Sequence, residues 1–317
     1  MFKDSFYDIA VGLTANAGVR ASAQKTLIDS LTETSPILSS IPVEKANRSN
    51  ANIFERLVST DVVGIVDLDA PLPEMNSQGQ LDHVNLSKFG GKVIIPCDKA
   101  TELGGRDAYL GQKLPPIMRA SCNSAERSIY YNNMLAAAIK YKNVQSATAS
   151  PSGNNYCSIV AVTWTTGETT GLLSPLPYEV GTDNAGLLFN TKWYNGGSVY
   201  EHPVTRQNVW GAYVEGKLGV QLANERSVAA IVNIGKNFDM DDLTLKISEM
   251  LLKCRANART TIYMSAALWP ALITKFGKVR ESNVLVGVTP TGGLSLLGYP
   301  AITSYNLKGW TEGPITV

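Results

Sequence analysis

Apolar residues recur along this chain first at helical spacing, then at strand spacing, and the changes of period divide it into segments. Residues 1 to 21 are small, mixed and weakly periodic, which predicts an arm ordered only by partners. Behind Ser22, a residue suited to capping a helix start, Ala23, Leu27, Ile28 and Leu31 recur at helical spacing. They predict a short amphipathic helix within Gln24 to Leu38, closed by Pro36, Ile37 and Leu38. From Asn52 the pattern turns to branched residues, Ile53, Leu57, Val58, Val62, Val63, Ile65 and Val66, and predicts a strand. Pro71 to Gln80 breaks it with two prolines, Asn76 and Gly79, and Lys92 to Ile95 resumes it, so a long hairpin with a polar tip is expected. Such a hairpin has too little apolar face to offset its ordering entropy, and it needs a surface to lie on.

The longest periodic run is Pro115 to Lys142. Two prolines suit a first turn, and Met118, Cys122, Ala125, Ile129, Ala136 and Ile139 follow in steps compatible with one helix face, Asn132 filling a gap. Residues 143 to 155 (NVQSATASPSGNN) are rich in Ser, Asn, Gly and Pro and are the best linker in the chain. Cys157 to Trp164 and Leu218 to Leu222 predict strands, and Gly167 to Gly197 a turn-punctuated β region. Val228 to Ile234 is almost wholly apolar, as a strand buried on both faces must be. Asp241 and Asp242 open a helix whose apolar face is Leu243, Ile247, Met250, Leu251 and Cys254, with Lys253 and Arg255 at its end, charges that complement the helix dipole. Thr261 to Met264 predicts a strand, Ala266 to Phe276 a short helix, and Leu294 to Ser304 a strand pair. The fold class is α+β.

Composition changes this picture in one respect. With 317 residues, 44% of them hydrophobic, the chain can bury a large core, yet only 17% are charged, below the usual quarter. A surface poor in charge expects partners, unless the chain is one large globule with little surface per residue. A net charge of +1 argues against a protein whose main task is gripping phosphates. Cys97, Cys122, Cys157 and Cys254 form neither a CxxC pair nor a disulfide framework and predict reduced, mostly buried thiols. The opening MFKDSFYDIAVGL lacks a signal-peptide core, and no apolar run reaches the roughly 20 residues of a membrane span, so a soluble protein is expected.

Candidate chemistry is sparse. His83 and His202 lack cysteine or carboxylate neighbours at ligand spacing, and GxSxG, GxGxxG and GxxxxGK[ST] are absent, so no metal, cofactor or catalytic residue is predicted. Asp67 and Asp69 share a strand face by the period of two, as an acid/base pair or a solvated edge would. The charges are nevertheless uneven. Asp61, Asp67, Asp69, Glu74 and Asp82 stand in a stretch to Ser87 without Lys or Arg, whereas Arg106 to Lys142 carries six bases, Arg119 and Arg127 among them, against two acids. The two regions either meet between subunits or are independent solvated faces.

The order of elements resembles one known family. WGAYVEGKLGVQLANERSVAAIVNI (Trp210 to Ile234), with its "VxxIVNI" ending, then a capped helix, a strand, a short helix and a closing "LxGxPAxxS" strand (LLGYPAITS), is similar to the major capsid proteins of tailed bacteriophages with the Hong Kong 97-type fold. QKTLIDSLTETSPIL resembles the family's amino-terminal arm. NIFERLVSTDVVGIVDLDAPLPEM with the return strand GGKVIIPCDKA resembles its extended hairpin loop, and PPIMRASCNSAERSIYYNNMLAAAIKYK its spine helix. The resemblance implies an arm over 1–44, a hairpin loop over 45–96, a peripheral domain over 97–156 and an axial domain with returning peripheral strands over 157–317. It implies a structural subunit that self-assembles into hexamers and pentamers of an icosahedral head, built in the host cytoplasm, with portal, scaffolding and decoration proteins as partners. Packaged double-stranded DNA would touch the inner face without sequence specificity. It also inclines the charge reading toward hairpin and helix pairing between subunits. Lys88 and Lys92 lie near the hairpin, but no acceptor asparagine with a catalytic glutamate stands out, so no covalent cross-link is expected. Encapsulins, nanocompartment shells, resemble the same fold and are the alternative, followed by a soluble enzyme of unfamiliar type.

Overall fold

The computed structural model describes residues 35–61, 74, 76–102, 104–174, 190–276, 286–288 and 294–316. Helix α1 (Pro36–Ser40) leads to β1 (Val43–Lys45), and β2 (Ala51–Thr60) pairs with β3 (Ser77–Asn85). Strand β4 (Ser87–Pro96) runs into α2 (Cys97–Glu102) and the long α3 (Arg106–Ser128), which continues as a π-helical stretch (Ile129–Leu135) and α4 (Ala136–Lys140). The strands β5 (Val144–Ser146), β6 (Tyr156–Thr163), β7 (Thr169–Leu173), β8 (Asn190–Trp193), β9 (Tyr200–Glu201), β10 (Asn208–Leu222) and β11 (Val228–Gly235) follow. The chain closes with α5 (Met240–Lys253), β12 (Thr260–Ser265), α6 (Leu268–Phe276), β13 (Val286–Val288), β14 (Leu294–Leu296) and β15 (Tyr299–Ser304).

The core is organised by a mixed sheet that, among the described residues, runs β13-β14-β15-β12-β6-β11-β5. All eight residues of β6 are buried, and β11 is buried from Val228 to Ile234, as its apolar run predicts. Because neighbours along a strand point to opposite faces, the sheet feeds two separate apolar layers. Val160, Val162, Val228, Ala230, Val232 and Tyr263 pack with Met118, Cys122, Ile129, Tyr130 and Met134 of the long helix. Cys157, Ile159, Ala161, Ala229, Ile231 and Ile262 pack with Leu243, Ile247 and Met250 of α5 and Leu268 and Leu272 of α6. Each fully buried Val, Leu or Ile contributes about 1.5–3 kcal/mol.

One residue breaks the alternation. The β11 register shifts between Ile231 and Ile234, and Asn233 sits there at φ 58°, a left-handed conformation that asparagine tolerates better than most residues. The bulge returns Ile234 to the same layer as Ile231. It also frees the Asn233 amide to donate to Ser146 Oγ (2.9 Å) and the Ile315 carbonyl (2.8 Å), while Oδ1 accepts from the Ile315 N–H (2.8 Å). One bulge thereby pins the end of the chain.

A second sheet runs β1-β7-β10-β4, with β8 and β9 also on β10. Strand β10 pairs with β4 from Val209↔Pro96 to Leu218↔Ser87. Gly90 lies in this ladder at φ 143°, where a Cβ would come within 2.0 Å of the Val214 carbonyl oxygen, so no other residue fits.

The structure corrects several readings of the sequence. The partner of β2 is the polar strand Ser77–Asn85, whereas GGKVIIP belongs to β4 in the second sheet. Hydrogen-bonded pairing needs no apolar side chains, but Val93 and Ile95 are buried and need a core that a projecting hairpin lacks. The long helix starts at Arg106, with Pro115 and Pro116 inside it, because burial of Leu114 and Met118 on either side carries it past the lost N–H groups. Beyond Ile129 the buried residues are Tyr130, Met134, Leu135 and Ala138, while Ala136 and Ile139 are exposed. The π-helical stretch explains the change, since its i→i+5 bonds admit an extra residue and rotate the buried face. Pro36 begins helix α1, and residues 24–34 of the expected arm helix lie outside the described residues. The expected linker contains β5, paired with β11.

The double-sided burial predicts contrasting costs. Ile231→Ala should destabilise by about 2–5 kcal/mol, whereas Leu252→Ala, on the outer side of α5 at 78% exposure, should cost under about 0.5 kcal/mol. Guanidinium unfolding of both variants checks this, and equal losses would mean that the sheet is not covered on the α5 face.

Candidate functional site

The hairpin β2–β3 is built from residues that gain little by folding on their own. None of the nine residues of β3 is buried, and Leu81 is 74% exposed. Its root is fixed by polar groups: Asn47 Nδ2 donates to the Ile53 carbonyl and Asn47 Oδ1 accepts from the Ile53 N–H, Asn52 Nδ2 donates to Gln221 Oε1, and Lys217 Nζ donates to Asn50 Oδ1 at 2.9 Å. Arg56 reaches Glu225 at 3.3 Å, an exposed ion pair. The hairpin is thus tied to the end of β10 at its base, and its strand β3 is open to solvent along its length.

Between α3 and the β4–β10 ladder runs a groove of about 620 Å³, lined among others by Ile117, Ser121, Ser124, Ser128, Phe89 and Leu218. Its small residues on the helix leave space over an otherwise apolar wall. At its rim Lys88 Nζ meets Glu215 at 2.5 Å.

The stretch 190–201 is strapped to the second sheet by cations on aromatic rings. Lys92 Nζ lies 3.6 Å from the Tyr194 ring centre and 4.5 Å from that of Tyr200, and the Tyr200 hydroxyl helps hold the ammonium above its usual pKa. Arg106 stacks over Trp193 at 4.8 Å and donates to the Gly197 carbonyl at 2.6 Å. Lys92 is therefore engaged within its own chain.

Two carboxylates are buried where the long helix meets the end of the chain. Glu126 is fully buried and neither oxygen has a well-formed hydrogen bond. Burial pushes its carboxyl up to about 7, against the opposing pull of Ser304, Asn306, Ser35 and the Ile37 amide around it. Glu312 is also raised by burial, with Tyr131 Oη (2.5 Å) and Ser158 Oγ (3.1 Å) donating to its Oε1. The thiols follow the same rule: burial raises Cys254 to about 11 and Cys157 to about 12, which keeps them protonated and inert. Among the described residues no group of His, Cys, Asp and Glu side chains is placed to hold a metal ion, and no helix is long and apolar enough to cross a membrane.

No protein-family model matches the sequence, and no curated protein sequence matches it. Solved structures do resemble it. The bacteriophage JBD30 capsid is 10% identical with a TM-score of 0.53, over 83% of this chain and 88% of that one. The bacteriophage Epsilon15 structure is 13% identical with a TM-score of 0.52, over 83% and 84%. The chain has the Hong Kong 97-type capsid fold. The SrpI encapsulin of Synechococcus elongatus PCC 7942 overlaps over 62% of this chain and 85% of its own, at 12% identity and a TM-score of 0.37.

Within this capsid fold the charges singled out in the sequence fall in different places. Asp61 is exposed beside the hairpin, where Oδ2 accepts from the Asn76 N–H at 2.8 Å. Glu74 is exposed, Asp82 half-buried with Oδ1 accepting from the His83 N–H, and Asp67 and Asp69 lie outside the described residues. Arg119 is exposed on α3, and Arg127 donates from Nε to the Asn306 carbonyl at 3.0 Å. Among the described residues no ion pair joins Asp61, Glu74 or Asp82 to Arg127 within one copy. Glu126 escaped the sequence reading, although its position four after Cys122 and three before Ile129 puts a carboxylate on the apolar face.

The cation clasp is open to test. Lys92→Ala should destabilise the subunit by about 0.5–2 kcal/mol, and Lys92→Arg by less, since a guanidinium also stacks on tyrosine. Thermal melts of the two variants decide, and identical melts for wild type and Lys92→Ala would mean that the rings pack without the cation.

Proposed function

We propose that the chain is a structural shell subunit, a major capsid protein whose copies form hexamers and pentamers and close an icosahedral head around double-stranded DNA. The observation that carries this reading is the hairpin, whose strand β3 is unburied along its length and whose root is held by polar bonds, on a body with the capsid fold. An element with so little apolar burial contributes to stability chiefly through a neighbour. In this reading the chain divides into an arm over 1–44, a hairpin region over 45–96 whose mutual pairing is confined to β2 and β3, a peripheral part over 97–156 and an axial part over 157–317. The role is mechanical, and no catalytic step is assigned. Portal, scaffolding and decoration proteins are the expected companions, and the virion its destination, after assembly in the host cytoplasm.

Electron microscopy of the expressed protein, with its nucleic acid content measured, tests the proposal. Closed shells holding double-stranded DNA are expected when the packaging partners are present, protein-filled shells would point to a nanocompartment, and a monomer under every condition would sink the reading. Removing residues 58–78 and joining Leu57 to Gly79 through Asn-Gly should leave the melting profile within about 1 kcal/mol of wild type yet abolish stable shells. Heat-resistant particles from this variant would remove the hairpin from the assembly role.

The acidic hairpin region and the basic helix are further proposed to meet between neighbours. Reversing Asp67 and Asp69 to Lys should lower particle yield more than subunit stability, and Arg119→Glu should partly restore it at low salt. Each exposed pair supplies only about 0.2–1 kcal/mol, but repetition around a shell multiplies the effect, and screening over about 8–10 Å blunts it at physiological salt. Additive losses indifferent to salt would show that these charges never meet.

A further inference from the structure

Glu126 has no part in the proposed shell role, and its chemistry is independent of whether shells form. Three elements converge on this carboxylate: α3, which carries it, the segment Ser35–Ser40 at the root of the amino-terminal residues, and the end of β15 at Ser304 with the following Asn306. The seams between them are polar. Ser35 Oγ donates to Asn123 Oδ1 at 3.2 Å, Arg127 Nε donates to the Asn306 carbonyl at 3.0 Å, and Ser40 Oγ donates to Tyr263 Oη at 3.2 Å.

An ionised carboxylate in this place would be costly, because it is fully buried and neither oxygen has a well-formed hydrogen bond. Among the described residues no cation compensates it. From its own helix, Arg127 is committed to Asn306 with its side chain in solvent, and Cys122 is a buried thiol. The carboxy-terminal segment brings Lys308, which lies over the Tyr131 ring at 5.4 Å and acts on Glu312, and Glu312 itself, bonded to Tyr131 and Ser158. Helix α1, PILSS, has no charged residue, Tyr130 donates to the Ser158 carbonyl, and Tyr263 of β12 serves Ser40 and Trp164. The charge is relieved in two ways: the carboxyl takes a proton, or the packing around it opens.

We propose that Glu126 is a proton-operated latch: protonated, it lets α1 and the end of β15 close onto α3, and ionised, it loosens both. Ser35–Ser40 is the first described stretch of the chain, and the latch governs how firmly it is held against α3. The folded-state pKa lies above the ordinary carboxyl value, so the stabilising contribution is complete below about 4.5 and is lost as pH rises through about 7.

Hydrogen–deuterium exchange of the full chain, corrected for the intrinsic pH dependence of amide exchange, reads the latch directly. Between about pH 5.5 and pH 8.5, protection in peptides covering 36–41 and 299–306 of the wild type should fall by about tenfold or more, while protection in β6 stays constant. Glu126→Gln keeps the shape and removes the charge, and should hold both peptides protected throughout; Glu126→Met does the same if the glutamine variant folds poorly. Glu312→Gln should leave the fall in place. A flat wild-type profile overturns the proposal, and so does a fall that persists in either neutral variant of Glu126.

Discussion

A sheet buried on both faces has to be covered twice, and the rest of this molecule is arranged to do so. In β6 and β11 successive side chains enter different apolar layers, so every backbone N–H and C=O of these strands must find its partner in the ladder. One layer is supplied by α5, which follows β11 directly, and by α6, which follows β12, both amphipathic. The other comes from a helix formed much earlier in the chain. That helix must be long, because it serves β6, β11 and the second sheet at once, and at 1.5 Å per residue Arg106 to Lys140 spans roughly 50 Å.

Such a rod cannot keep one face in register with two sheets over its whole length. The π-helical stretch resolves the mismatch by rotating the buried stripe from Met118, Cys122 and Ile129 to Tyr130, Met134, Leu135 and Ala138. The same place puts Glu126 and Tyr131 against the carboxy-terminal segment, where Tyr131 Oη donates to Glu312 and accepts from the Lys308 N–H at 3.1 Å. Burying two carboxylates there weakens the joint at neutral pH relative to an apolar one. It also places both buried carboxylates at the seam between the helix and the two ends of the described chain.

Where burial alone decides, the sequence was readable. Val228 to Ile234 could only be a strand covered on both sides, and the spacing of Leu243, Ile247, Met250 and Leu251 could only be one helix face. The reading failed where pairing is independent of hydrophobic pattern. Ser77–Asn85 is a strand by virtue of hydrogen bonds to Ala51–Thr60, and its side chains carry no apolar period to announce it. The helix start failed for a related reason: prolines are a local stop signal, and only the burial of Leu114 and Met118 by distant strands overrides it. As for the candidate site, the acids and bases were visible as a charge imbalance, but the pairing proposed for them lies between copies, which a single chain's periodicity does not encode. Glu126 was visible in position and overlooked because carboxylates are normally assigned to solvent.

The distribution of apolar burial bears on why such a subunit would assemble. Strands β6 and β11 are buried on both faces by residues of the same chain. The hairpin is the reverse case: ordering each of its residues costs about 1–2 kcal/mol of backbone entropy, while side chains such as Leu81 remain in water. Its polar root, through Asn47, Asn50 and Asn52, fixes where it leaves the body without burying it. A rigid body with one under-buried extension presents its unsatisfied surface at a defined place and direction, which favours repeated, identical contacts over indiscriminate association. Weak contacts of that kind gain strength from number.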